Sequence, residues 1–159
     1  MVFLPLSIRE NISLTNFESI SNKFGFISST KENENVESLI NRLSIKATDQ
    51  HMPVKNLSGG NQQKVIIARW LATDPRFLIL DEPTRGIDVG AKAEIQKLIL
   101  GLSEDGLAIL FISSELDEVI TCCDRIVVLR DRKVLSELSG EAMEEANIMQ
   151  VIASKDVIQ

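Results

Sequence analysis

The sequence predicts an α/β domain in which parallel strands are joined by crossover helices, preceded by a mainly helical part. Three observations carry that expectation. From Leu57 onward, short apolar runs alternate with amphipathic stretches, the pattern of buried parallel strands and the helices between them. Before residue 56 no strand pattern occurs, and the clearest regular signal is helical. A chain of 159 residues with 44% hydrophobic and 25% charged content can bury a real core, which excludes a disordered chain, a collagen-like chain and a mini-protein.

Taken in order, Pro5 and Ser7 lead into a short amphipathic stretch, Ile8 to Leu14, followed by a polar region rich in serine and asparagine with patchy regular structure. Glu34 to Leu43 sets Val36, Leu39, Ile40 and Leu43 at helical spacing. Beyond Leu57 the expected order is helix (Gln62 to Ala72), strand (Phe77 to Leu80), helix (Val89 to Leu102), strand (Ala108 to Ile112), helix (Ser114 to Cys122), strand (Ile126 to Leu129). All three strands are expected to be buried. Asp131, Arg132 and Lys133 then turn the chain into Val134 to Leu138 as a hairpin, and Glu141 to Ala153 closes as a helix. The chain is thus divided into residues 1–56, helical, and residues 57–159, the α/β part.

Charge narrows the function. Seventeen basic against 23 acidic residues give a formal charge of -6, with residues 1–56 balanced at six of each, so the whole excess is on the α/β part and no field favours nucleic acid. The longest apolar run, Leu107 to Ile112, is far below the ~20 residues of a bilayer span. No basic region precedes an apolar stretch at the N-terminus, so a cytoplasmic location is expected. Cys122 and Cys123 are adjacent, suit a reducing compartment and are read as structural.

Chemistry concentrates in three places. Leu57-Ser58-Gly59-Gly60-Asn61-Gln62 opens a helix with a serine at the capping position and two glycines that let an anion approach free N–H groups; a merely well-capped helix would look the same. The run Phe77-Leu78-Ile79-Leu80 ends in Asp81-Glu82, two carboxylates at the sheet edge where α/β folds bind ligands. The first can hold Mg²⁺ through water and the second can orient and deprotonate an attacking water, whereas a solvated acidic turn is the plainer alternative. In Pro83-Thr84-Arg85-Gly86-Ile87-Asp88, Gly86 permits a turn and Asp88 caps the next helix, which alone accounts for it. Ser114 and Asp117 have capping-box spacing.

In order and spacing these segments resemble the ATP-binding cassette (ABC) ATPases, a P-loop NTPase fold: Leu57 to Gln62 is similar to the signature motif, Phe77 to Glu82 to the Walker B strand, and Gly86 to Asp88 to the D-loop. Asn56 to Val65 and Asp81 to Ala91 resemble the second cassette of monosaccharide importers of the ribose, galactose or galactofuranose type, and Ser7 to Ile12 the start of their helical subdomain. The resemblance implies ATP and Mg²⁺ as cofactors in a complete assembly, Glu82 as catalytic base and Asp81 as metal ligand. It implies nucleotide contacts for Ser58, Gly59, Gly60, Gln62, Asp88 and Ser114, with the signature residues reaching the γ-phosphate of ATP held by another cassette. The implied partners are that cassette, membrane permease subunits and, indirectly, an extracellular or periplasmic sugar-binding protein, but no nucleic acid; the implied place is the inner face of the cell membrane.

Two departures qualify the resemblance. No stretch fits the phosphate loop GxxxxGK[ST], and the adenine-stacking aromatic and the glutamine loop are absent as well. The expectation is a fragment that starts inside a cassette, whether a truncated product, a broken or re-started gene or a split subunit, and that is inactive alone. At the position of the family's switch histidine stands Ser114, while His51, the only histidine, lies in a loop elsewhere. Competing expectations are a soluble cassette ATPase acting on ribosomes or DNA and a non-catalytic cassette that only binds a partner. Open sheet edges and weak protection of Phe77 to Leu80 are expected.

Overall fold

A computed structural model describes residues 2–21 and 27–154, so the polar stretch expected to be patchy is described only in part. Two compact units divide the chain: Met1–Leu78 with Pro83–Ile109, and Ile79–Glu82 with Leu110–Gln159.

In the first unit, helices α1 (Ile8–Ser13), α2 (Phe17–Ile20), α3 (Ser29–Arg42), α4 (Gly59–Leu71) and α5 (Val89–Glu104) follow one another. Helix α1 starts where Ser7 and Glu10 cap each other reciprocally, a box that satisfies two orphan donors. Its Ile8 and Ile12 are fully buried, as are Val36 on α3 and Val65, Ile67 and Ala68 on α4, and α1, α3 and α4 pack on one another. A polar bolt holds α4 in place. The buried Arg69 guanidinium donates to the Asn11 carbonyl (2.7 Å) and Oδ1 (2.6 Å), and Asn11 Nδ2 donates in turn to the carbonyls of Phe3 and Ser7. Charged donors with this many bonds are worth more than neutral ones, so residues 3–11 are tied to the C-terminal end of α4.

Strands β1 (Phe77–Asp81) and β2 (Ala108–Ile112) pair side by side. Ala108 N–H donates to Arg76 O and Glu82 N–H to Ile112 O, so the two run parallel, with α5 as the crossover. The expectation of buried strands fails here. Leu78 and Leu80 are buried, but Phe77 and Ile79 are more than half exposed and Leu110 and Ile112 nearly half. Among the described residues nothing covers that face.

The second unit carries α6 (Leu116–Cys122), β3 (Arg125–Arg130), β4 (Lys133–Ser139) and α7 (Glu145–Ala153), with a 3₁₀ turn at Gly140–Ala142. The hairpin is as expected: β3 and β4 are antiparallel, and Asp131 and Arg132 both adopt positive φ (53° and 64°) in the two-residue turn. The third strand, however, pairs with β4 and not with the parallel pair. Ile126, Val128, Leu135 and Ile148 form the core here, and Cys123 packs against it. Burial pushes both thiols up, Cys122 to about 11, consistent with structural cysteines.

Candidate functional site

Residues of the signature segment form one cluster. Ser58 is the N-cap of α4, exposed, with extended backbone, and its Oγ accepts from the Asn61 amide N–H at 3.5 Å and from Asn61 Nδ2 at 2.9 Å. Gly59 is exposed and Gly60 is buried. The sequence explanation for the glycines was anion approach; at Gly60 the structure adds a packing reason, because a Cβ there would lie 2.6 Å from Ala91 Cβ at the start of α5. Asp88 caps α5 through Oδ1 to Ala91 N–H at 2.9 Å, and the close approach of Gly60 to Ala91 sets the N-termini of α4 and α5 side by side. The Gln62 side chain turns back to donate to Leu57 O at 3.0 Å and braces the loop before the helix.

A second cluster sits at the end of β1. Asp81 is exposed and Glu82 half-buried. Glu82 has φ 49°, left-handed backbone that a residue with a Cβ adopts at a cost of about 1 kcal/mol. Its Oε1 accepts the Ser114 backbone N–H at 3.0 Å, so Ser114 touches Glu82 through its main chain. The expected capping box is not formed. Helix α6 starts at Leu116 with Glu115 as its cap, which leaves Ser114 one residue outside; Ser113 Oγ instead accepts Glu115 N–H (3.1 Å) and donates to Glu118 (2.8 Å). Among the described residues no group of three His, Cys, Asp or Glu side chains could hold a metal alone. An exposed strand-end carboxylate such as Asp81 suits Mg²⁺, which takes one or two carboxylates and completes its shell with phosphate oxygens and water.

Residues 2–85 match the ABC transporter family. The chain belongs to that family. The ribose import ATP-binding protein RbsA of Oceanobacillus iheyensis is 56% identical over 146 residues, 92% of this chain and 29% of that protein. The fructose import ATP-binding protein FruK of Bifidobacterium longum is 46% identical over 96% of this chain and 30% of its own length. Among solved structures, cbiO1 from Clostridium perfringens, part of the ABC transporter complex cbiONQ, superposes with a TM-score of 0.75 at 26% identity, over 96% of this chain and 58% of that one. This ABC chain therefore spans about three-tenths of the length of the curated relatives it matches.

What sequence reasoning missed in this ABC chain is the support behind the signature serine. Asn61 Oδ1 accepts the Lys46 backbone N–H at 2.8 Å, tying α4 to the segment after α3. Glu94 on α5 bridges Lys46 (3.0 Å) and the buried Lys64 (2.9 Å), which pull its carboxyl down to about 2. Lys64 Nζ also donates to Ser44 O. The spacing of Ser58 and Asn61, that of a capping box, was the available signal. No pattern marks Lys46, whose backbone donor does the work.

Proposed function

We propose that this chain supplies the signature and Walker B parts of an ATP-binding cassette in a monosaccharide importer, as part of the second cassette of a two-cassette polypeptide. The observation that carries the reading is the 56% identity to a ribose import ATP-binding protein over nearly the whole chain. In this reading residues 1–56 are the helical subdomain and residues 57–159 the catalytic part.

Ser58, Gly59 and Gly60 would lie over the γ-phosphate of ATP held by another cassette, where helix N-terminal donors meet the charge of the transferring group. Gln62 braces that loop, and Asp88 holds α5 beside it. At the local site Asp81 would hold Mg²⁺, which neutralises charge on the phosphates when bound. Glu82 would orient the attacking water and take its proton, kept in place by the Ser114 amide. Partners are a second cassette and the permease, with the sugar-binding protein on the far side, and the chain works at the cytoplasmic face. Among the described residues no helix is long and apolar enough to cross a membrane, which suits docking on separate membrane subunits. A cassette acting on ribosomes or DNA has less support, given the charge of -6.

The test is phosphate release by the purified chain. No Mg²⁺-dependent turnover is expected from it alone, since it has no phosphate loop; the complete importer should hydrolyse ATP and lose at least about 100-fold at the local site with Glu82→Gln. Turnover by the isolated chain that disappears with Glu82→Gln would overturn the reading.

A further inference from the structure

We infer that Asn61 is the positioning residue that makes the Ser58 hydroxyl a hydrogen-bond donor aimed out of the helix. The argument follows from donor and acceptor inventories. The Lys46 backbone N–H can only donate, and it points at one end of the Asn61 side-chain amide, 2.8 Å away. That end must be the carbonyl oxygen, so the NH₂ end faces Ser58, 2.9 Å from Oγ. An NH₂ group can only donate, so Ser58 Oγ accepts it, and it accepts the Asn61 backbone N–H as well at 3.5 Å. Both lone pairs of the hydroxyl are then engaged by one residue, and its single O–H hydrogen has to point in another direction. Ser58 is exposed, and no acceptor among the described residues takes that proton. A hydroxyl held this way is set to donate to an anionic oxygen approaching the N-terminus of α4, alongside the free amides there.

The anchor of this arrangement is outside α4. Lys46 belongs to the segment leaving α3, and its ammonium is tied to Glu94, which also holds Lys64. The orientation of the Ser58 proton is thus set by where the 44–46 segment sits relative to α4, all within one compact unit. The inference rests on the proposed reading that Ser58 faces a nucleotide phosphate, and the experiment separates the two.

In the complete importer reconstituted with its permease, ATP hydrolysis is measured for Ser58→Ala, Asn61→Asp, Asn61→Leu, Asn61→Gln and each of the first two Asn61 variants combined with Ser58→Ala, with Tm recorded for each. An aspartate at 61 presents only acceptors and draws the Ser58 proton inward, so Asn61→Asp should lose about as much kcat as Ser58→Ala, on the order of 10²-fold for a lost phosphate donor. In the Ser58→Ala background the same change should cost less than about threefold. Asn61→Leu, which frees the hydroxyl to rotate, should lose about fivefold and nothing further without Ser58. Asn61→Gln, which keeps both an acceptor and a donor, should stay within about threefold of the native protein. Equal losses from Asn61→Asp with and without Ser58 would overturn the inference, because the charge would then be acting by itself. If Asn61→Asp unfolds the protein, equal losses from Asn61→Leu in both backgrounds overturn it in the same way. An unaffected Ser58→Ala would overturn the underlying reading of the signature segment, and the inference with it.

Discussion

At Glu94 a single carboxylate gathers two ammonium groups, one of them on the 94% buried side chain of Lys64. Its carboxyl binds a proton more weakly in the folded chain than in the unfolded one, since folding pulls it down to about 2. Stability from this group is therefore fully present above the ordinary carboxylate range and is lost as pH falls through that range toward 2. Glu94→Gln should lower the urea midpoint at neutral pH, and its gap to the native protein should close near pH 2. A gap that stays constant across that window would show that the pairs contribute nothing through charge. The same scale shows what a sequence can and cannot disclose. Ser58 and Asp88 were legible because a helix cap is a local matter of one side chain and an amide three residues on. The bond from Ser114 to Glu82 spans 32 residues and uses a main-chain donor, and every residue but proline has one, so no residue type announces it.

Among the elements, α4 and α5 are the pair on which the candidate site depends, and their separation is set by Gly60 and Ala91. Adding a methyl with Gly60→Ala gains at most the helix-interior preference of about 0.5–1 kcal/mol, but the new Cβ meets Ala91 Cβ at 2.6 Å. Neither atom can swing away, so the helices must part, at roughly 1–3 kcal/mol. The net expectation is destabilisation in a urea titration, relieved when Ala91→Gly is added. Gly59→Ala, whose nearest neighbour is the Ile87 side chain at 3.3 Å, should be milder. A Gly60→Ala protein as stable as the native one would refute the close fit. The long helices were legible from periodicity, as was the hairpin, whose turn residues separate two apolar runs. Helix α2 is only four residues long, too short to show a period. The start of α6 is not legible in the same way: the chain leaving β2 puts Glu115 at the cap position, with no side-chain cap bond, and Ser113 Oγ takes the Glu115 N–H instead.

For the molecule as a whole, the parallel pair of strands is where a sequence reading of buried strands and the structure diverge. A run of apolar β-formers says that a strand is covered on both faces somewhere; it does not say by which residues. Here Leu78 and Leu80 have their cover and Phe77 and Ile79 do not. Glu82 N–H points to β2, and alternation along the strand sends the amides of Phe77, Ile79 and Asp81 to the opposite side. In the isolated chain those three should exchange hydrogen quickly, while Leu78 and Leu80 are slower. In the complete importer all five should become slow. Uniform protection of all five in the isolated chain would mean that the outer edge has found a partner.

That bare edge also bears on handling. A strand whose outer edge is unpaired, with leucine, isoleucine and phenylalanine along it, can accept a like strand from a neighbouring molecule, and such encounters grow with the square of concentration. Dilution, or Ile79→Lys, should therefore prolong the life of the purified chain in storage.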